Sequence, residues 1–248
     1  TKRFVDNFRQ KTLQGISWSV VGQFGNQAIT FTLSIVLARL LSPNEFGLVS
    51  MVFIFTGFAS IFQDVGLGSA LIQYQGITEK HKSSVFWLNV MSGTVLTALF
   101  FVGAPLIAQF YGEPILTTIA MVMAIKFLFG GLSNVHQTLI QKKVDFKTLS
   151  LVGIATTTLS GAVAVGMALY GYGVWSLVAQ MIIGTVSKAA AYWLISPWSP
   201  RFVFSWIALK DLWKFSLNLL GTRSLNFWVR RLDDILIGKY LGSDSLGI

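Results

Sequence analysis

Three observations predict an all-α integral membrane protein, a multi-span helical bundle. Hydrophobic residues make up 53% of the 248 positions and charged residues 12%, with a mean hydropathy of +0.64. An ordinary soluble domain carries about 25% charged residues and needs polar cover on its water-facing side. The apolar residues gather into seven stretches, each near the ~20 residues that cross ~30 Å of hydrocarbon. Finally, the segment from Gly15 to Gly47 returns near the other end of the chain. Ile35-Val-Leu-Ala-Arg39-Leu-Leu-Ser-Pro-Asn-Glu-Phe-Gly47 aligns without a gap on Ile235-Leu-Ile-Gly-Lys239-Tyr-Leu-Gly-Ser-Asp-Ser-Leu-Gly247, 200 residues on. That period is far beyond the roughly 20–50 residues of a solenoid repeat. It fits two bundles of related topology, and predicts that 1–248 is a fragment of a longer protein, ending just after the first helix of a second bundle.

The spans are expected at about Gly15–Leu41, Phe46–Gly68, Ser84–Phe110, Ile115–Ile140, Leu149–Tyr170, Val174–Ser196 and Phe215–Leu241. The first is too long for the ~7–15-residue apolar core of a signal peptide, so it is read as a retained span. The domains are accordingly 1–196, a six-helix bundle; 197–214, a cytoplasmic amphipathic linker; and 215–248, the first helix of the second bundle. Within the linker, Ser205–Lys214 carries Trp206, Trp213, Lys210 and Lys214, the pattern of an interfacial helix.

The connections alternate in charge. Lys2, Arg3, Arg9 and Lys11 precede the first span, Lys80 and Lys82 the third, Lys142, Lys143 and Lys147 the fifth, and Arg201, Lys210 and Lys214 the seventh. The connections Ser42–Glu45, Tyr111–Pro114 and Gly171–Gly173 hold no lysine or arginine. By the positive-inside rule the N-terminus is cytoplasmic.

An ionisable side chain near the bilayer centre costs about 2.5–3.5 kcal/mol on insertion scales. The seventh span holds Arg223, Arg230, Arg231, Asp233 and Asp234. At 100° per residue, Arg223, Arg230 and Asp234 fall within about 40° of one another, with Asn226 beside them. In the first span the equivalent stripe is uncharged: Gln23, Asn26, Gln27, Thr30 and Ser34. Two readings are open. Arg230 pairs with Asp233 or Asp234 one turn on, which leaves Arg223 and Arg231 unpaired, or the whole stripe lines a water-filled cavity between bundles.

Lys126 lies mid-span, too deep to snorkel across ~15 Å; it faces a cavity or pairs with Asp64. Lys188 is near enough to its span's end to snorkel, and Arg39 and Lys239 close their helices at an interface. Asp64 either ends its helix or has a functional role. Within the spans seven basic residues stand against three acidic ones, a balance that favours an anionic cargo over a cationic one.

Other chemistry finds little support. No cysteine is present, which excludes disulfides, thiolate metal sites and cysteine nucleophiles. His81 and His136 lack partners at metal-ligand spacing, and Gly66-Leu-Gly-Ser lacks the lysine of a phosphate loop. No metal or other cofactor is expected, nor any nucleic acid partner.

The chain resembles the Wzx-type polysaccharide flippases, of the superfamily that includes the multidrug and toxin extrusion (MATE) transporters and the lipid II flippases. The resemblance runs through Leu37-Ala-Arg-Leu-Leu-Ser-Pro-Asn-Glu-Phe-Gly47, Phe62-Gln-Asp-Val-Gly-Leu-Gly-Ser-Ala-Leu-Ile-Gln73, Val85-Phe-Trp-Leu-Asn89, Ala104-Pro-Leu-Ile-Ala108, Gly171-Tyr-Gly-Val-Trp-Ser-Leu-Val178 and Asp234-Ile-Leu-Ile-Gly-Lys-Tyr-Leu-Gly242. It implies a protein of twelve or fourteen helices in two MATE-like bundles in a bacterial inner membrane. Its cargo would be an undecaprenyl-diphosphate-linked oligosaccharide, and other membrane proteins of polysaccharide assembly would be partners. On that reading Arg223, Arg230 and Lys126 hold the anion, with Arg231 and Asp234 in the same cavity. Gln23, Asn26, Gln27 and Asn226 bond sugar hydroxyls, and Asp64 and Asp233 are structural or coupling groups. The rival readings are a cation-coupled drug antiporter, for which Asp64 is the sole first-bundle carboxylate on offer, and a membrane enzyme of polysaccharide assembly, which the very short non-cytoplasmic loops disfavour.

Overall fold

The computed structural model describes residues 2–64 and 66–247, with side chains for 15, 17–64, 66–213, 216 and 220–247. The side chains of Lys2, Arg3, Arg9, Lys11 and Lys214, part of the predicted charge asymmetry, lie outside the described residues. The elements are α1 (Lys2–Leu40), α2 (Pro43–Asp64), α3 (Leu67–Gln73), α4 (Glu79–Tyr111), α5 (Ile115–Lys142), α6 (Phe146–Leu169), α7 (Val174–Ile195), α8 (Trp206–Tyr240) and α9 (Gly242–Leu246). Six stretches are long and apolar enough to cross a membrane: Ser17–Leu40 within α1, and the whole of α2, α4, α5, α6 and α7. The protein is a multi-pass membrane protein.

Local sequence sets several of these boundaries. Glu45 accepts from the Ser42 N–H at 2.7 Å and the Ser42 hydroxyl at 3.0 Å, with Pro43 at the first helical position, where its missing N–H costs nothing. Asp145 caps α6 by accepting from the Thr148 N–H at 3.1 Å. The predicted second span runs past its true end. The helix stops at Asp64, Gly66 takes a left-handed φ of 78°, and Gly68 belongs to the separate short helix α3. Lys142 holds that short helix in place, donating to the carbonyls of Leu71, Ile72 and Tyr74 at 2.7–3.1 Å.

Within the bundle α4 packs on α5, α5 on α2 and α7, and α7 on α6, while α1 lies against α6. A buried apolar cluster that includes Met51, Val52, Ile119, Ala120 and Met123 joins α2 to α5. Large apolar side chains such as Val102, Leu106, Leu169 and Leu194 are exposed, as a lipid-facing surface requires.

The seventh predicted span departs from expectation. Residues 215–241 do not form a separate helix after an interfacial linker; the boundary at 214/215 falls inside α8, which runs unbroken for 35 residues from its Ser205 cap. Its charges set it apart from the six apolar spans. Leu209 and Leu212, each 1% exposed, pack with Leu67, Leu71 and Val85, while Trp206 and Ile207 on the other side are exposed. The 196–205 connection is also tied down: Trp198 donates to Glu79 at 2.8 Å, the Ser205 N–H to Ser84 at 2.8 Å, and Trp87 to the Arg201 carbonyl at 2.9 Å.

The two copies of the repeated turn touch each other. A Cβ on Gly47 would collide with the Ser243 carbonyl, and a Cβ on Gly247 would collide with the Pro43 carbonyl. Positions 43 and 243 correspond in the repeat, as do 47 and 247, so the contact is reciprocal, like an isologous interface. Asn44 adds a side-chain bond to the Ser243 hydroxyl at 2.7 Å.

Candidate functional site

Helix α8 lies along α2 and α3 and presents three layers to them. At one level Arg223 Nη1 stands 4.0 Å from Asp64 Oδ2, and Nη2 donates to the Ser69 hydroxyl at 3.3 Å. Asp64 Oδ1 meanwhile accepts from the Gly68 N–H at 2.9 Å, satisfying a donor in the first turn of α3. Asp64 is thus both helix-terminating and paired, with Arg223 and not with Lys126.

One turn along, Phe227 and Trp228 pack on Phe58, with ring centroids 5.7 and 4.9 Å apart. This anchor sets the rotation of the helix. A further turn brings Arg231 over the ring of Phe53, 5.8 Å from its centroid, with Asp234 held at 2.7 Å. Lys126 of α5 approaches the same ring, 5.5 Å from its centroid, and also lies 5.4 Å from that of Phe127. Its ammonium donates to the buried Thr56 hydroxyl at 3.0 Å, and no carboxylate among the described residues pairs with it. The negative π-face favours both cations, so Phe53 lets two like charges share one neighbourhood. Arg223 and Arg231 are eight residues apart, about 12 Å along the axis, so with Lys126 the face between α2, α5 and α8 is a column of three cations, offset by the two carboxylates Asp64 and Asp234.

The predicted stripe of Arg223, Arg230 and Asp234 is rotated. Arg223, Phe227 and Arg231 contact α2 and Asp234 is held by Arg231, whereas Arg230, Asn226 and Asp233 are exposed and Arg230 has no partner among the described residues. The anticipated pairing of Arg230 with Asp233 or Asp234 does not form; Arg231 takes Asp234 instead. Lys239, expected at an interface, donates to the Phe110 carbonyl and lies 4.7 Å from that ring's centroid.

Gln23, Asn26, Gln27 and Thr30 do come together, but apart from α8. With Ser19, Ser150 and Gly153 they line a cavity of about 290 Å³ between α1 and α6. A second polar cavity, about 360 Å³, lies among α2, α5, α6 and α7, lined by Gln63, Asp64, Asn134, Gln137, Gln180 and Lys188 with several hydroxyls. Lys188, expected to snorkel, lines this cavity. Sequence reasoning missed its amides, although each sits inside an expected span, where an unbonded polar group is expensive; attention to ionisable groups alone passed over them. Neither histidine joins the site. His81 lies 3.4 Å from Asp211 of α8, and His136 is enclosed by Phe86, Trp193 and Trp198.

The family model for polysaccharide biosynthesis proteins matches residues 36–248. The chain belongs to that family. Among its polysaccharide biosynthesis relatives are the teichuronic acid biosynthesis protein TuaB of Bacillus subtilis, 33% identical over 96% of this chain and 50% of the relative, and the succinoglycan biosynthesis transport protein ExoT of Rhizobium meliloti, 30% identical over 94% and 47%. The lipopolysaccharide biosynthesis protein WzxC of Escherichia coli is 22% identical over 97% of this chain and 49% of its own. The Wzx-type resemblance read from the motifs is borne out. The chain spans about half the length of the curated relatives it matches. No solved structure gives a significant match.

Proposed function

We propose that this polysaccharide biosynthesis protein is a flippase, not an enzyme, which carries an undecaprenyl-diphosphate-linked oligosaccharide from the cytoplasmic to the outer leaflet of a bacterial inner membrane. The observation that carries the reading is the pair of cations on Phe53. Lys126 and Arg231 converge from two helices, and with Arg223 they set three cations against the two carboxylates Asp64 and Asp234, leaving a net positive face suited to a diphosphate. Arg230 and Asn226, exposed on the other side of α8, would face the same cargo from the side that a second bundle closes. The N-terminus is cytoplasmic, rocking of the bundles provides alternating access, and other membrane proteins of polysaccharide assembly receive the product.

The drug-antiporter reading wants a carboxylate free to hold a cation, and Asp64 is engaged by Arg223 and the Gly68 N–H. In the full-length protein, Lys126→Met together with Arg231→Met and Asp234→Ala, the last removing the carboxylate that would otherwise be stranded, is expected to abolish polysaccharide export in a flippase-deficient cell at near-normal membrane abundance. Undiminished export by that variant would sink the anion-site reading.

A further inference from the structure

The cavity among α2, α5, α6 and α7 has a chemistry unlike that of the cation column. Its lining is mainly amides and hydroxyls, with one acid, Asp64, and one base, Lys188. Several of the hydroxyls donate back into their own helices: Ser60 to the Thr56 carbonyl at 2.7 Å, Thr156 to Val152 at 2.8 Å, Thr185 to Met181 at 2.9 Å. Their hydrogens are thereby used, and what remains for a ligand is oxygen lone pairs. Gln137 of α5 and Gln180 of α7, both half-buried, hold no hydrogen bond to the described residues, so each offers an amide donor and a carbonyl acceptor.

We infer that this cavity seats a saccharide unit of the lipid-linked oligosaccharide, with Gln137 and Gln180 as its principal hydrogen-bonding groups; the inference rests on the flippase reading above. A phosphate has only acceptors to offer and would meet the lone pairs of the hydroxyls. An apolar ligand would leave the amides unsatisfied. A sugar hydroxyl is donor and acceptor at once, which matches both kinds of group. The volume, about 360 Å³, is at the small end of ligand pockets, fit for a short saccharide unit but not a whole chain. Asp64 borders this cavity and also meets Arg223 of the cation column. Sugar seat and anion site therefore adjoin, as a sugar joined directly to a diphosphate demands. This places sugar recognition on α5 and α7, not on the α1 stripe of Gln23, Asn26 and Gln27, whose cavity lies against α6.

The test is a binding comparison on the purified full-length protein in lipid nanodiscs, followed by intrinsic tryptophan fluorescence. The two probes are the undecaprenyl-diphosphate-linked oligosaccharide extracted from the producing cell and undecaprenyl diphosphate without sugar. Wild type is expected to bind the glycosylated lipid more tightly. The variant carrying Gln137→Met and Gln180→Met is expected to bind it about ten-fold more weakly, the loss of two hydrogen bonds, with unchanged affinity for the bare lipid, which also reports intact folding. Equal weakening for both lipids, in the single variants as in the double, would overturn the inference, as would no change for either. Equal wild-type affinity for the two lipids overturns it while sparing the flippase reading; binding of neither lipid by wild type overturns both.

Discussion

Arg223 of α8 reaches Asp64 at the end of α2, Nη1 to Oδ2 at 4.0 Å, and Asp64 turns its other oxygen to the Gly68 N–H. The two bonds of that carboxylate have separable consequences. Arg223 meets Asp64 only at 4.0 Å, and the Gly68 N–H stays on that carboxylate without it, so loss of the pairing costs little stability. Arg223→Ala should lower export while leaving membrane levels near those of wild type. Asp64→Asn keeps an acceptor for the Gly68 N–H and should also keep abundance, whereas Asp64→Leu strands that donor at about 1–3 kcal/mol and should reduce the protein found on immunoblots of membranes. Normal abundance of Asp64→Leu would show that the α2–α3 corner does not depend on the carboxylate.

Lys126 and Arg231 both lie against the ring of Phe53. Replacing it with leucine removes two cation–π contacts, each worth about 0.5–2 kcal/mol. Phe53→Leu is expected to cut export several-fold, and Lys126→Arg to retain part of the activity that Lys126→Met loses. Export by Phe53→Leu at the wild-type rate would count against the ring's role.

The rotation of α8 makes Arg230 and Arg231 distinguishable. Arg231→Ala leaves Asp234 without its partner at 2.7 Å and should lower abundance, since an uncompensated charge at membrane depth is costly; adding Asp234→Ala should restore it. Arg230 has no such partner, so Arg230→Ala should leave abundance unchanged and reduce export alone. If the Arg230→Ala protein were scarce and rescued by Asp234→Ala, the pairing would belong to Arg230.

The six apolar spans were legible in the sequence because long apolar runs set them. Their starts were less so: α2 and α6 begin three residues before the expected Phe46 and Leu149, where Glu45 with Ser42, and Asp145, supply the caps. The phase of α8 was not legible, for helical periodicity ranks residues by angle but gives no reference direction. That direction comes from Phe227 and Trp228 packing on Phe58, 169 and 170 positions earlier in the chain. The cavity of Gln63, Asn134, Gln137 and Gln180 was hidden for a similar reason. No helix contributes more than two of these amides, and their sum exists only in the assembled bundle.

The charge asymmetry of the connections yields a topological prediction. Reporter fusions at Lys143 and at Gly112, at the two ends of α5, should report opposite sides of the membrane, with Lys143 cytoplasmic. The same side for both would remove the basis for the proposed direction of transport.

Where Gly47 and Gly247 meet the opposite turns, the joint between α2 and α9 is backbone against backbone, with no side chain at its centre. The glycines themselves have no rotamers to reset, while Asn44 on the Ser243 hydroxyl and Leu246 on the core of α2 and α5 fasten the flanks of the joint. Its symmetry also means that the two glycines occupy a single structural position twice over. Damage at either should look alike, and a larger residue at one cannot be offset by trimming the other, because each presses on a carbonyl and not on its counterpart. The likeness of the two turns is thereby written into a contact that neither can alter alone.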